Sequence, residues 1–267
     1  MSKDDKKKRK NATAIGIDIG GTGIKGGIVD LKKGKLVGDR FRIDTPQPST
    51  PEAVAAVVAR IVAELSARED APSPDAPVGV TFPAIIHRGV ALSAANVDKS
   101  WINTDADALF TATLGRPVQV MNDADAAGLA EARYGAGQGV DGTVMVITLG
   151  TGIGCALIHD GVLVPNVELG HLEIDGHDAE SRASASARER AGLSWDEYGV
   201  VLQRYFSHVE FLFSPSLFIV GGGISKRSED FLPLLTLRTP IIPAALKNNA
   251  GIVGGALQAA LHFGFAS

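Results

Sequence analysis

The sequence predicts an α/β protein of two related lobes, each containing a mixed β-sheet flanked by helices. Along its 267 residues, short apolar segments typical of buried strands alternate with segments of helical periodicity. A succession of strand, glycine turn and strand also occurs twice. The turn has the same four residues in both copies, Gly-Thr-Gly-Ile at Gly21 to Ile24 and at Gly150 to Ile153. Glycine turns join hairpins in many proteins, so it is the second matched copy that favours two related lobes.

The first half begins with a predicted β-meander. From Thr13 the chain reads as strand, glycine turn, strand, charged turn and strand, ending near Ile43. A helix is predicted from Pro51 to Arg68, because five apolar residues recur there at helical spacing. A Pro-rich loop (71–77) precedes a buried strand up to Phe82, and a second buried strand (117–121) leads into a helix at 124–135.

The second half repeats the meander at 142–164. It continues with a predicted helix from Trp195 to Phe213, a strand (217–220) that ends at a glycine triplet, a helix at Ser225, and a C-terminal helix. We predict a disordered basic tail at 1–12, a small lobe at 13–121 that includes the C-terminal helix at about 251–267, and a large lobe at 122–250. The glycine turns of the two lobes are expected to face each other across a cleft.

Composition limits the class of protein. With 45% apolar residues the chain can form a substantial core, and no apolar run has the roughly 20 residues of a membrane span. No signal segment is apparent, so we expect a cytoplasmic protein without a membrane partner. Cys155 is the only cysteine, which excludes an intrachain disulfide and a zinc site built from several thiolates.

Charge is unevenly distributed. Residues 3–10 carry six cations and two anions, so with a total of -4 the rest of the chain carries -8. Such a tail either touches a polyanion or is a solvated extension, and the second interpretation is favoured. An acidic body argues against a nucleic-acid partner.

The segment 18–27, DIGGTGIKGG, has the chemistry of a phosphate site. Its glycines leave backbone N–H groups open to an anion, and they lead into a strand, unlike the glycines of the phosphate loop or the dinucleotide fingerprint. Asp18 before the turn can hold Mg²⁺, usually through water, while Thr22 binds phosphate oxygens. Lys25 either adds positive charge or is a solvated hairpin lysine.

Together with four further motifs, this segment resembles the ROK family (repressors, open reading frames and sugar kinases) of the hexokinase and actin superfamily. The motifs are Asp18 to Thr22, Asn122-Asp123, Leu149 to Gly154, Glu168 to His171 and Gly221 to Gly223. The resemblance covers nearly the whole chain after residue 12, and it implies a two-lobed, actin-like (ribonuclease H-like) ATPase fold. Segments 96–102, 122–137 and 168–173 are most similar to bacterial polyphosphate glucokinases and glucomannokinases.

The resemblance implies an enzyme that moves a phosphoryl group from inorganic polyphosphate or ATP, with Mg²⁺, to the 6-hydroxyl of glucose. Mannose as a second substrate stays open, as does the choice of donor. Asp123 matches the family's general base, which accepts the hydroxyl proton during in-line transfer. Asn122 would bind sugar hydroxyls, although a helix cap also explains such a pair.

Glu168 and His171 match the family's sugar-binding pair. In typical members the histidine also ligates zinc with a cysteine cluster, which is missing from this sequence, so no zinc is expected and His177 alone is no zinc site. We carry the contact to the sugar O1 onto Glu180, with Glu173 as the rival. In the loop before residue 117, Asn103 is expected to contact the sugar. Lys99 could contact the phosphoryl donor, and Trp101 could equally be a core aromatic.

The donor-binding residues implied by the resemblance lie in three glycine-rich turns. A glycine triplet alone is often only a turn from strand to helix, and its place after an apolar strand favours the functional interpretation. The predicted set is Asp18, Gly20, Gly21, Thr22, Gly23, Lys25, Thr148, Gly150, Thr151, Gly152, Gly221, Gly222 and Gly223.

Two other functions compete with this one. A strictly ATP-dependent kinase of another hexose or an N-acylhexosamine would carry the same base and turns, and pocket shape would decide. A sugar-responsive DNA-binding regulator would need a helix-turn-helix domain, for which the 17 residues before Asp18 are too few. Small molecules are therefore the expected partners, and the sequence leaves monomer and homodimer open.

Overall fold

The computed structural model describes residues 13–94 and 97–266. The predicted basic tail and Asn96 lie outside the described residues. Two compact units divide the chain: one comprises the described residues up to Ala130 and those from Asn249 onward, and the other comprises Glu131–Asn248.

The first unit contains a five-stranded sheet in the order β3-β2-β1-β4-β7. Strands β1, β2 and β3 form the predicted antiparallel meander, and β4 and β7 continue the sheet in parallel. A small hairpin, β5 and β6, follows β4. The strands are β1 Thr13–Ile19, β2 Gly23–Asp30, β3 Lys35–Asp44, β4 Val78–Phe82, β5 Ile86–His87, β6 Val90–Ala91 and β7 Val118–Asn122.

Four helices belong to this part of the chain: α1 Pro51–Ser66, α2 Ala106–Leu114, α3 Asp123–Tyr134 and α8 Ala250–His262. Helix α1 begins with Thr50 as its N-cap and Pro51 in its first turn, and its apolar face packs into the core against β1, β2 and β3. This helix was predicted to end at Arg68, and it ends two residues earlier, at Ser66. Trp101 is fully buried beside Phe82 and donates its indole N–H to the carbonyl of Ser49, so the core interpretation of this residue is confirmed.

Helix α8 packs very closely on the first sheet. A Cβ atom at Gly79 of β4 would overlap the carbonyl oxygen of Gly255, and one at Gly254 would overlap the carbonyl oxygen of Ala126 in α3. Only glycine permits such an approach of two backbones. The contact with Ala126 explains why the units divide after Ala130, whereas the sequence prediction placed the division after residue 121.

The second unit repeats the architecture. Its sheet has the order β10-β9-β8-β13-β14, again an antiparallel meander extended by two parallel strands. A small hairpin, β11 and β12, follows β10 along the chain. The strands are β8 Thr143–Leu149, β9 Ile153–His159, β10 Val162–Val164, β11 Glu173–Ile174, β12 His177–Asp178, β13 Leu217–Gly221 and β14 Ile241–Pro243.

Four helices accompany this second sheet: α4 Glu180–Ala183, α5 Ala185–Ala191, α6 Trp195–Phe213 and α7 Ser228–Phe231. Helix α6 has the predicted bounds and begins with a capping box of Ser194 and Glu197. Its buried face, including Tyr198, Leu202 and Phe206, packs against β8 and β13 in the core.

Two predicted helices differ from the structure. The helix predicted at Ser225 is a 3₁₀ helix, Gly223–Arg227, followed by the short α7. The C-terminal helix predicted to reach residue 267 ends at His262, and Gly264 then takes a left-handed conformation with φ of 71°. Within 13–94 and 97–266, no helix combines the length and the apolar character needed to cross a bilayer.

Candidate active site

The first glycine turn joins β1 to β2 and is supported by β3. Gly20 N–H donates to the carbonyl of Gly23 at 3.1 Å, closing the turn. Thr45 donates its hydroxyl to the carbonyl of Gly20, and Arg42 donates to the carbonyl of Thr22 at 2.9 Å. The two supporting side chains come from β3 and the residue after it, and sequence motifs did not identify them.

Asp18 lies at the end of β1, where three elements meet. The sheet register pairs it with Lys25 on β2 and Thr81 on β4. Thr81, fully buried, donates its hydroxyl to one carboxylate oxygen at 3.2 Å, and Lys25 Nζ lies 3.5 Å from the other. Lys25 is thus paired with Asp18 and is not a solvated hairpin lysine. Gly251 at the start of α8 leaves room for the carboxyl group, because a Cβ there would lie 3.3 Å from it.

The Asn122-Asp123 pair lies where β7 runs into α3. Asn122 is the cap: its side-chain oxygen accepts from Ala124 N–H at 2.8 Å and Asp125 N–H at 3.1 Å, and its amide donates to the carbonyl of Ala84. Asp123 is exposed, and one of its carboxylate oxygens accepts from Ala124 N–H. Helix capping therefore accounts for Asn122 but leaves Asp123 directed to the surface of its unit.

The second glycine turn joins β8 to β9. Gly150 N–H donates to the carbonyl of Gly152 at 3.0 Å, much as Gly20 donates to Gly23 in the first turn. The carboxylate of Glu180 accepts from Ile153 N–H at 3.1 Å and occupies the space that a Cβ at Gly152 would need. Thr151 is exposed at the tip of the turn.

The glycine triplet lies beside this second turn. Gly221 at the end of β13 pairs with Thr148 of β8, so the two strands bring their ends to one edge of the sheet. Gly222 has φ of 82°, and a Cβ there would overlap the carbonyl of Leu149. The close approach and the positive φ both require glycine at this position. The seven predicted donor residues of this unit therefore share one edge.

The predicted sugar-binding pair lies on a 3₁₀ helix, Leu169–His171, with Glu168 immediately before it. The Nδ1 atom of His171 lies 2.9 Å from a carboxylate oxygen of Asp178, whose second oxygen accepts from Glu180 N–H. This hydrogen bond raises the pKa of His171, with further contributions from Glu180 and Glu168. Burial raises the pKa of Glu168.

Ligand atoms of His171, Asp178 and Glu180 lie within 4.8 Å of one another, a spacing at which they could hold a cation. Exposed acidic groups commonly form such sets without an ion, and the predicted absence of zinc stays a prediction. Glu173 is exposed on β11 and outside this set, so of the two rival glutamates Glu180 lies beside His171 and Glu173 does not. Asp178 was not among the predicted site residues, although it lies between His171 and Glu180 in the sequence.

Asn103 follows the 3₁₀ helix Lys99–Trp101 and has a left-handed backbone with φ of 67°. Its N–H donates to the carbonyl of Ala91, and its side chain is exposed. Lys99 is exposed as well. The second unit carries Glu168, His171, Glu180 and the donor residues from Thr148 onward. The first unit carries the other predicted residues, namely Asp18, the first turn, Lys25, Lys99, Asn103 and the Asn122-Asp123 pair.

The family model described as "ROK family" matches residues 14–183. A polyphosphate glucokinase of Mycobacterium tuberculosis (strain CDC 1551 / Oshkosh) is 51% identical over 244 residues, covering 91% of this chain and 89% of that protein.

Two solved structures are similar over nearly the whole chain. An inorganic polyphosphate/ATP-glucomannokinase from Arthrobacter sp. strain KM has a TM-score of 0.89 at 76% identity, covering 94% of this chain and 99% of that one. A ROK family glucokinase from Streptomyces griseus, in complex with glucose and AMPPNP, has a TM-score of 0.79 at 27% identity, covering 93% and 99%. The predicted two-lobed, actin-like α/β fold is confirmed. The chain belongs to the ROK family.

Proposed function

We propose that this protein is a glucokinase that transfers a phosphoryl group from inorganic polyphosphate or ATP to the 6-hydroxyl of glucose. The observation that carries the proposal is the Asn122-Asp123 junction, where Asn122 caps α3 and the Asp123 carboxylate stays exposed at the end of a buried strand. The likeness to polyphosphate glucokinases at 51% identity and to the Arthrobacter glucomannokinase at 76% supports the substrate and both donors.

In this proposal Asp123 is the general base. Its carboxylate accepts the proton of the sugar 6-hydroxyl while that oxygen forms a bond to phosphorus, and the bond from phosphorus to the bridging oxygen of the donor breaks. The shortened polyphosphate or ADP leaves with the electron pair of that bond. A carboxylate can hold the transferred proton until the product departs.

The sugar is held by Glu168, His171 and Glu180, with Asn103 and Asn122 as further contacts. Carboxylate oxygens accept hydrogen bonds from sugar hydroxyls, and the imidazole Nε2 interacts with a neighbouring hydroxyl. Asp178 fixes the imidazole ring by accepting from Nδ1. Mannose differs from glucose only at C2, and the likeness to the Arthrobacter glucomannokinase supports mannose as a second substrate.

The donor phosphates are held by the backbone N–H groups of the glycine turns and by Thr22 and Thr151. Asp18 fits Mg²⁺: it supplies a hard carboxylate oxygen beside the Thr81 hydroxyl, and magnesium usually takes one or two carboxylates together with substrate phosphates. When bound, the ion neutralises charge on the donor phosphates. Lys25 beside Asp18 adds a further positive charge.

A coupled assay tests the proposal. Purified protein with Mg²⁺ is given glucose or mannose, and either ATP or long-chain polyphosphate, and sugar 6-phosphate is measured. Glucose 6-phosphate is expected with each donor. Absence of product with both donors and both sugars would overturn the proposal, whereas product with ATP alone would favour the ATP-dependent alternative. The cytoplasmic location and the choice between monomer and homodimer stay predictions.

A further inference from the structure

Two arginines converge on one tryptophan at the donor edge of the second sheet. The guanidinium carbon of Arg188 on α5 lies 3.7 Å from the centroid of the Trp195 ring, and that of Arg227 lies 5.2 Å from the same centroid. Trp195 itself stacks on Phe231 at 5.9 Å, which anchors the indole to the core. The aromatic platform therefore holds two cations in fixed positions.

The charge of Arg188 is not compensated by a carboxylate. Across residues 13–94 and 97–266 its side chain makes no ion pair, and its Nε atom is buried without a hydrogen-bond partner. Arg227 pairs with Asp230. Because both guanidinium groups lie on the same indole, they are at most about 9 Å apart and repel each other. An anion placed between them would relieve this repulsion and satisfy the unused N–H donors.

The arginines are connected to the donor turns by short backbone links. Ser186, two residues before Arg188, donates its N–H to the carbonyl of Gly150 at 3.1 Å. Arg227 ends the 3₁₀ helix that begins directly after Gly222, and Gly222 lies against Leu149. Each arginine thus lies within five residues of a residue that contacts or belongs to the turns assigned to donor phosphates.

We propose that Arg188 and Arg227, held on Trp195, form a subsite for the phosphates of a polyphosphate chain that lie beyond the third from its transferred end. The inference rests on the proposed function. A guanidinium group binds phosphate oxygens through two parallel N–H donors, and polyphosphate presents such oxygens at every unit. ATP continues beyond its third phosphate as an uncharged ribose and base, so it gains less from two additional cations.

The test compares the two donors in Arg188→Gln and Arg227→Gln, because glutamine keeps a long polar side chain over the indole. Arg190→Gln is the matched control, since Arg190 is exposed on the same helix. We expect each subsite variant to raise the KM for long-chain polyphosphate about 10-fold or more, while the KM for ATP changes less than about 2-fold. Circular dichroism and the ATP activity verify that the variants are folded.

Direct binding gives a second readout that does not require turnover. Titration of long-chain polyphosphate without sugar, at several salt concentrations, should show a shallower dependence of log Kd on log salt in each subsite variant than in wild type. Equal increases in both KM values, an increase for ATP alone, or unchanged values and slopes would each overturn the subsite. Wild-type protein that yields no product with either donor would instead refute the proposed function itself.

Discussion

The Nδ1 atom of His171 lies 2.9 Å from a carboxylate oxygen of Asp178. An ionised carboxylate only accepts hydrogen bonds, so Nδ1 carries the proton and the ring is held with Nε2 on its other side. The same carboxylate accepts from Glu180 N–H and thereby connects the imidazole to the start of α4. Asp178 is thus a positioning residue for two of the proposed sugar contacts.

Asp178→Ala is expected to lower the pKa of His171 toward its ordinary value, because the hydrogen bond from Asp178 is the largest cause of its increase. NMR titration of the His171 ring measures this directly. The site should then lose the positive charge of His171 at a lower pH than wild type does. The KM for glucose should rise about 10-fold, with a smaller change in kcat.

Two variants serve as controls for Asp178. Asp178→Asn retains a neutral acceptor for Nδ1–H and should give an intermediate KM. Asp175→Ala removes a nearby exposed carboxylate that pairs with Arg204 and should leave the pKa of His171 unchanged. An unchanged titration of His171 in Asp178→Ala would contradict the assigned role.

Asp123→Asn should lower kcat by about 100-fold or more, because an amide cannot accept the proton of the sugar hydroxyl. Glucose binding, measured by calorimetry, should stay detectable, since Glu168 and His171 are unchanged. Asp141→Asn, at an exposed carboxylate, is the control. Near-normal turnover in Asp123→Asn would show that another group, or water, takes the proton.

Asp18→Asn should raise the concentration of free Mg²⁺ needed for half-maximal activity by about 10-fold, because the variant lacks the charged oxygen ligand. The measurement is initial rate against free Mg²⁺ at saturating donor and glucose. Asp39→Asn, at an exposed position on β3, should behave as wild type. An identical magnesium dependence in Asp18→Asn would remove Asp18 from the metal site.

The sequence predicted the parts of the fold that depend on local patterns. Both meanders, helix α6 and the strands that end at Asn122 and Gly221 follow from periodicity and glycine punctuation. The short 3₁₀ helix after Gly222 was expected to be a regular helix, because periodicity does not distinguish the two over five residues. The prediction of two related sheets was the best supported, because the pattern of strand, glycine turn and strand occurs twice and one copy alone would have been weak evidence.

The supporting residues of the site could not be predicted in this way. Thr81 reaches Asp18 only through the parallel pairing of β1 with β4, across 63 residues of chain. Arg42 and Thr45 reach the first turn through the register of β3. Such contacts are set by strand pairing between distant segments, which a single sequence does not reveal.

Glu131 is a buried carboxylate that organises backbone in the second unit. It accepts N–H groups from Ala136 at 2.9 Å, Ala245 at 3.1 Å and Leu246 at 2.7 Å. Glu131→Ala leaves these donors without their acceptor and should lower the free energy of unfolding by about 2–4 kcal/mol. Chemical denaturation measures the change. Glu64→Ala, at an exposed site on helix α1, is the control, and it should change the free energy of unfolding by less than about 0.5 kcal/mol.

Gly79→Ala tests the close packing of α8 on the first sheet. The new methyl group would overlap the carbonyl oxygen of Gly255, and neither the central strand β4 nor the helix backbone can move without disturbing the buried core. We expect a loss of about 3 kcal/mol or more in the free energy of unfolding. Gly139→Ala is the matched control, because a Cβ at Gly139 would enter open space. The positive φ of 75° at this residue is strained for alanine, so the free energy of unfolding should fall by only about 1 kcal/mol. Equal losses in the two variants would mean that α8 yields easily, and that the position of Gly251 beside Asp18 is not fixed by this packing.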